Sequence, residues 1–142
     1  MKLQHLQGFI VILIPTYLTT VAARTQHIKV KGRVFCAEEP RKAVGIKVKL
    51  VDEDRGPNPD DVMGETRTDE NGEFYLEGQE DEWTTIDPRV KLYHECNDGL
   101  TPCSRKWKFT LPDKYINKDK VFDIGSINLE TIMDEEERDC FH

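Results

Sequence analysis

The sequence predicts an all-β fold, an antiparallel two-sheet β-sandwich of about seven or eight strands. Three observations carry that expectation. Apolar residues recur with period two in short runs, no segment sustains a 3.6-residue repeat, and turn residues punctuate the chain at short intervals.

Taken in order, the first strand is Ile28, Val30, Gly32 and Val34 alternating with Lys29, Lys31 and Arg33. The second is Val44, Ile46, Val48 and Leu50 alternating with Gly45, Lys47 and Lys49. Each pattern describes a strand with one buried and one wet face. Pro57 and Pro59, with Gly56 and Gly64, mark a long acidic loop. Phe74 and Leu76 form a short strand after Asn71-Gly72, a dipeptide suited to a type I′ hairpin turn. Residues 79–87 have room for a short helix. Val90 and Leu92 alternate with Arg89 and Lys91, and Trp107, Phe109 and Leu111 alternate with Lys106, Lys108 and Thr110. A last strand runs through Ile124, Ile127 and Leu129. The DEEERD run at 134–139 reads as a solvated tail. The expected organisation is a signal peptide over 1–23, one domain over 24–131 and an acidic tail over 132–142.

The 142 residues carry 20 Lys+Arg against 27 Asp+Glu, a formal charge of −7. That balance argues against a sequence-blind nucleic-acid partner, because such binding displaces counterions with basic groups. Lys2 and His5 precede an apolar stretch, Gly8 to Leu18, and Val21-Ala22-Ala23 supplies the small residues of a cleavage site. Pro15 interrupts that stretch as a helix, and it is too short to cross a bilayer. No second run of spanning length follows, so a secreted, extracellular product is expected, without an Asn-x-Ser/Thr glycosylation site.

Export implies that Cys36, Cys96, Cys103 and Cys140 are bridged. Four cysteines allow three pairings. Cys96–Cys103 is favoured, because the intervening NDGLTP is turn-rich and lies between two strand-like runs. Cys36–Cys140 is then the second bridge, closing a loop of roughly 100 residues and contributing about 4–5 kcal/mol in the chain-entropy view. A zinc site from His94, Cys96 and Cys103 is disfavoured by the lack of a C-x-x-C knuckle. A calcium site from Asp52, Glu53, Asp54, Asn58, Asp60 and Asp61 is disfavoured by a spacing unlike an EF-hand and by the two prolines. No metal or cofactor is expected.

The segments GRVFC (32–36), VKLVDED (48–54), PNPDDVMGETRTDENGEF (57–74), TTIDPRVKLYHECND (84–98), PCSRKWKFTLPDKYI (102–116) and FDIGSINLE (122–130) resemble the nematode transthyretin-like family. YHEC with the downstream PC is the specific part of the match. The resemblance implies a prealbumin-like sandwich and secretion. It also implies that Val44–Leu50, Arg89–Tyr93 and Arg105–Leu111 lie side by side in one sheet. Their outward residues Lys47, Lys49, Arg89, Lys91, Lys106 and Lys108 then share one face, while acidic residues gather in 52–61, 77–82 and 134–139. Such a face would be drawn to an anionic surface at roughly 1 kcal/mol per cation, discounted by salt. Solvation of an outer sheet face is the simpler use of those lysines, and the acidic tail has the reach to fold over them.

Enzymatic relatives of transthyretin hydrolyse 5-hydroxyisourate, and resemblance to them would call for two histidines, an arginine and a C-terminal Tyr-Arg-Gly-Ser. This chain reads RDCFH at 138–142, and nothing in its sequence brings His27 and His94 together. No nucleophile elbow, H-E-x-x-H or phosphate loop is present. The expectation is a secreted binding or bridging module without catalysis, recognising a cell-surface receptor or an anionic phospholipid surface. The alternatives are a carrier of a small hydrophobic ligand and, less favoured, the hydrolase. The oligomeric state is not legible.

Overall fold

The structure, a computed structural model, describes residues 22–54 and 56–142; the expected leader lies outside the described residues except for Ala22 and Ala23. Alternation of Ile28, Val30 and Val34 with basic residues builds β1 (Arg24–Phe35). There follow β2 (Lys47–Asp52), β3 (Asp61–Arg67), β4 (Glu73–Glu82), β5 (Pro88–His94), β6 (Ser104–Thr110), β7 (Phe122–Asn128) and β8 (Glu137–Asp139). Two single-turn 3-10 helices, Pro40–Ala43 and Asp113–Tyr115, interrupt the loops. The strands form two sheets, β4-β1-β7 and β3-β2-β5-β6-β8. The all-β, two-sheet expectation holds. Its core is built from the inward positions: Ile28, Val30 and Val34 of β1, Val48 and Leu50 of β2, Leu76 of β4, Val90 and Leu92 of β5, and Trp107 of β6. Full burial of each such side chain contributes roughly 1.5–3 kcal/mol.

Several local expectations change. The β1–β7 pair is parallel, with a register shift between Lys31 and Arg33, so the smaller sheet is mixed. The proposed helix over 79–87 is replaced by the extension of β4 to Glu82. Residues 61–67, assigned to a loop on the strength of Gly64, form the edge strand β3. The Asn71-Gly72 turn does not close a hairpin, because β3 and β4 belong to different sheets. Only Gly72 there has a positive φ, at 75°, whereas a type I′ turn needs two. The crossing is organised instead by Asp69, whose Oδ1 accepts N–H bonds from Asn71 and Glu73, each 2.8 Å. The acidic tail is also structured: β8 pairs with β6, with Glu137 opposite Lys106 and Asp139 opposite Ser104.

The cysteine pairing is corrected as well. The bridges are Cys36–Cys96, with Cα atoms 5.9 Å apart, and Cys103–Cys140, at 4.4 Å. Cys96 and Cys103 flank one turn but face opposite ways: Cys96 is buried and Cys103 half-exposed. Cys36–Cys96 follows the ends of β1 and β5 and ties the two sheets together. Cys103–Cys140 sits one step beyond the Ser104–Asp139 pair and clamps β8 to β6. Loops of 60 and 37 residues make each bridge worth about 4 kcal/mol in the chain-entropy view.

Along one side of the sandwich β3 approaches β4 closely, and Gly78 makes that possible. A Cβ there would lie 2.7 Å from Cβ of Met63 and 2.9 Å from Cδ2 of Leu50. Gly78→Ala is expected to destabilise the fold by about 1–3 kcal/mol through overpacking, read as a lower urea midpoint.

Candidate functional site

Alternation on β2, β5 and β6 turns Lys47, Lys49, Arg89, Lys91, Lys106 and Lys108 to the outer face of the five-stranded sheet. Strand register brings the six expected cations together. Lys91 lies opposite both Lys49 and Lys108, and Tyr93 lies opposite both Lys47 and Lys106.

Each cation, however, meets a carboxylate. Glu65 of β3 takes Lys47 at 3.3 Å and Lys49 at 4.0 Å. Glu53 takes Arg89 at 2.5 Å and Lys108 at 3.8 Å, and Asp87 takes Arg89 at 3.4 Å. Lys91 is bonded to Asp60. Lys106 meets Glu137 at 2.5 Å and Asp139 at 3.8 Å, and Lys108 meets Glu137 at 3.2 Å. Hydrogen bonds from Lys106 and Lys108 hold the Glu137 carboxyl below its ordinary range. Six cations against six carboxylates make the face locally balanced rather than a bare basic patch. Singly, such half-exposed pairs contribute little, about 0–1 kcal/mol. Together they fix the positions of twelve charges.

Tyr93 stands at the middle of the lattice. Lys49 Nζ lies 5.5 Å from its ring centroid, and the His142 ring stacks on it at 4.5 Å and 13°. Lys47 Nζ donates to the His142 carbonyl at 3.2 Å. Burial, then the carboxylates of Asp139 and Asp60, pushes the Tyr93 hydroxyl up to about 12.

Beneath the face lies a node that the sequence reading missed. Arg105 shares the inward parity of Trp107 and is only 3 % exposed. Its Nε and Nη2 donate to the two oxygens of Glu136, at 2.7 and 2.6 Å. Its remaining N–H groups donate to the carbonyls of Cys96 (2.7 Å), Leu129 (3.0 Å) and Thr131 (2.7 Å). All five guanidinium donors are thus used. Trp107 Nε1 donates to the same Glu136 at 2.6 Å. Bonds from Arg105, offset in part by burial, hold the Glu136 carboxyl below its ordinary range. A charge at an inward strand position was the available signal, since such a charge demands a buried counter-ion.

His94, 1 % exposed, also faces inward, packed edge-on to Trp107 at 4.7 Å. Its Nδ1 accepts the Cys96 N–H at 3.2 Å, and its Nε2 has no hydrogen-bond partner among the described residues. His27 sits in the other sheet on the outward parity of β1. The two histidines therefore do not share a site. With Cys96 and Cys103 both oxidised, the zinc alternative has no thiolates.

The acidic loop is divided. Asp60 goes to Lys91 and Glu53 to Arg89, while buried Asp52 accepts the Asp87 N–H at 2.6 Å. Burial raises the Asp52 carboxyl despite that bond. Asp54 and Asp61 instead meet Glu82, with ligand oxygens within 4.8 Å of one another, a set that could hold a hard cation. Desolvation and then the neighbouring Asp61 and Glu82 charges raise the Asp54 carboxyl. A groove of about 800 Å³ at the end of the sandwich mixes Trp83 and Ile116 with Arg24, Gln26, Glu82 and Asn117. That lining is too polar to favour an apolar ligand.

A family model described as the Transthyretin-like family matches residues 31–112, from β1 through β6. Transthyretin-like protein 46 of Caenorhabditis elegans is 48 % identical over 134 residues, covering 91 % of this chain and 74 % of that protein. Transthyretin-like protein 5 of the same organism is 47 % identical over 122 residues, covering 83 % and 86 %. Transthyretin-like protein 33 is 42 % identical over 125 residues, covering 85 % and 86 %.

Proposed function

The chain belongs to the transthyretin-like family, and on that premise we propose that it is a secreted binding module without catalysis, whose outer five-stranded face recognises a cell-surface protein. The charge-balanced lattice around Tyr93 carries this reading. Fixed charges of both signs select a partner by complementarity more than by net attraction. Two disulfides accord with an oxidising destination, and no helix among the described residues is long and apolar enough to cross a membrane. Against catalysis, His94 Nδ1 is committed to a backbone N–H and His27 lies in the other sheet.

The anionic-phospholipid reading is the weaker arm, because each cation that would draw the face to a bilayer already meets a carboxylate. The test uses Lys49→Glu, Lys91→Glu and Lys108→Glu together. Saturable binding of labelled protein to intact cells is expected and should fall at least about tenfold in the variant. Uptake by anionic vesicles is expected to be weak for both proteins. Strong, salt-sensitive vesicle binding lost in the variant would restore the lipid reading, and cell binding untouched by the reversal would move recognition off this face. An ultraviolet assay is expected to find no turnover of 5-hydroxyisourate.

A further inference from the structure

The two disulfides live in different environments. Cys36 and Cys96 are buried in the core, whereas Cys140 is exposed and Cys103 half-exposed. The accessible bridge clamps a short element. β8 is three residues long and pairs with β6 only through Glu137, Arg138 and Asp139. Opposite it, β6 presents Lys106 and Lys108; the charged contacts across the seam are Lys106 with Glu137 and Asp139, and Lys108 with Glu137, and beyond the strand His142 stacks on Tyr93 and its carbonyl accepts from Lys47. The seam is thus an acidic strand seated on a basic strand edge. Without β8, β6 would be the outer strand of its sheet, with unpaired N–H and C=O groups.

We propose that the edge of β6 is a docking site for an acidic extended polypeptide segment, filled in cis by β8 and opened when a dithiol reduces the solvent-accessible Cys103–Cys140 bridge. In that step the dithiol gives up two electrons and two protons. The S–S bond becomes two thiols, and the dithiol leaves as its cyclic disulfide. Cys36–Cys96 is shielded from attack and stays oxidised. Glu136 remains locked on Arg105, so the sandwich persists while residues 137–142 peel away. Arg138 donates to both oxygens of the buried Asp98, at 2.5 and 3.1 Å, and to the Cys103 carbonyl at 3.1 Å, so these bonds must release together with the bridge for β8 to leave. The incoming segment supplies what β8 supplied: backbone partners for the ladder, and carboxylates two residues apart for Lys106 and its neighbours. While tethered, β8 competes at an effective concentration in the millimolar range, so the site is closed to dilute partners. This inference shares Lys106, Lys108, Glu137 and Asp139 with the face of the receptor reading but does not rest on it: the reduction and peptide tests read the β6 edge, and the cell-binding test reads the closed face.

Graded dithiothreitol, then alkylation and mass spectrometry, is expected to modify positions 103 and 140 first, with Cys36–Cys96 intact. In that half-reduced protein, amide exchange within Ser104–Lys106, the stretch that β8 covers, should quicken by at least about tenfold while Val48–Asp52 is unchanged. A fluorescent peptide of residues 136–142 carrying Cys140→Ser should bind the half-reduced protein at least about tenfold more tightly than the oxidised one, and more weakly as salt rises. A Cys103→Ser/Cys140→Ser variant should reproduce the open state without reductant, with near-ultraviolet circular dichroism of Trp107 checking its fold. Simultaneous opening of both bridges, unchanged exchange over β6, or equal peptide binding by closed and open protein overturns the proposal.

Discussion

Arg105→Lys is expected to destabilise the protein by about 3–5 kcal/mol, although the charge is kept. The guanidinium is a planar fork. Two of its arms bind Glu136 and the others reach the carbonyls of Cys96, Leu129 and Thr131. An ammonium offers three donors from one point and cannot span these five bonds. Carbonyl groups would be left buried without partners, and Glu136 would keep its bond from Trp107 but lose its paired cation. Calorimetry should show a melting temperature lower by roughly 10 °C or more. Glu136→Gln should be damaging as well, because it strands the buried cation. A lysine variant within about 1 kcal/mol of the native protein would show that the fork geometry is dispensable.

Acidification should cost the fold up to about 3 kcal/mol through His94 alone. Burial, then the Arg105 guanidinium, lowers the imidazole from 6.5 to about 4, with Glu136 and Asp98 acting in the opposite direction. The folded state therefore refuses a proton that the unfolded chain accepts. Stability from this residue is full above pH 6.5, declines as pH falls toward 4, and levels off below. Glu136 acts in a separate window. Its depressed carboxyl contributes stability above its ordinary value of 4.5, which is lost as pH falls through the lower folded value. Between pH 6.5 and 4.5 the His94 contribution falls with pH, and the raised carboxyls of Asp52 and Asp54, which take up protons first in the folded state, act in the opposite direction. His94→Asn, whose Oδ1 can still accept the Cys96 N–H, should be less stable at neutral pH but lose the decline that His94 imposes across that interval in urea titrations. An unchanged slope in the variant would assign the acid response to other groups.

Period-two alternation made most strands and the outward facing of the six cations legible, because the pleat turns successive side chains to opposite faces, whereas the sharing of one sheet by their strands came from the family resemblance. The same parity extends further than it was applied. Cys36 continues the inward series Ile28, Val30, Val34, and Cys96 continues Val90, Leu92, His94, so both point into the core and meet there. A turn-rich spacer between Cys96 and Cys103 was a weaker guide than facing. Parity likewise sets Arg105 in line with Trp107, which flags a buried charge. β3 escaped detection for a physical reason: it is an edge strand in which Val62 is exposed and Gly64 has no side chain, so no alternation appears. β8 escaped because three charged residues look solvated until Lys106 and Cys103 are placed beside them. The carboxylates that balance the cationic face come from loops and from the tail. Their positions are tertiary facts that no local pattern encodes.

The Arg105–Glu136 contact spans 31 residues of sequence, and the cation comes first. During vectorial synthesis at about 5–20 residues per second, β6 leaves the ribosome roughly 2–6 s before its carboxylate. Through that interval the nascent chain cannot bury β6 without enclosing a naked charge. Burial of β6 is thereby timed to the emergence of Glu136, and a polypeptide arrested before it would be handed to chaperones with that strand still uncovered.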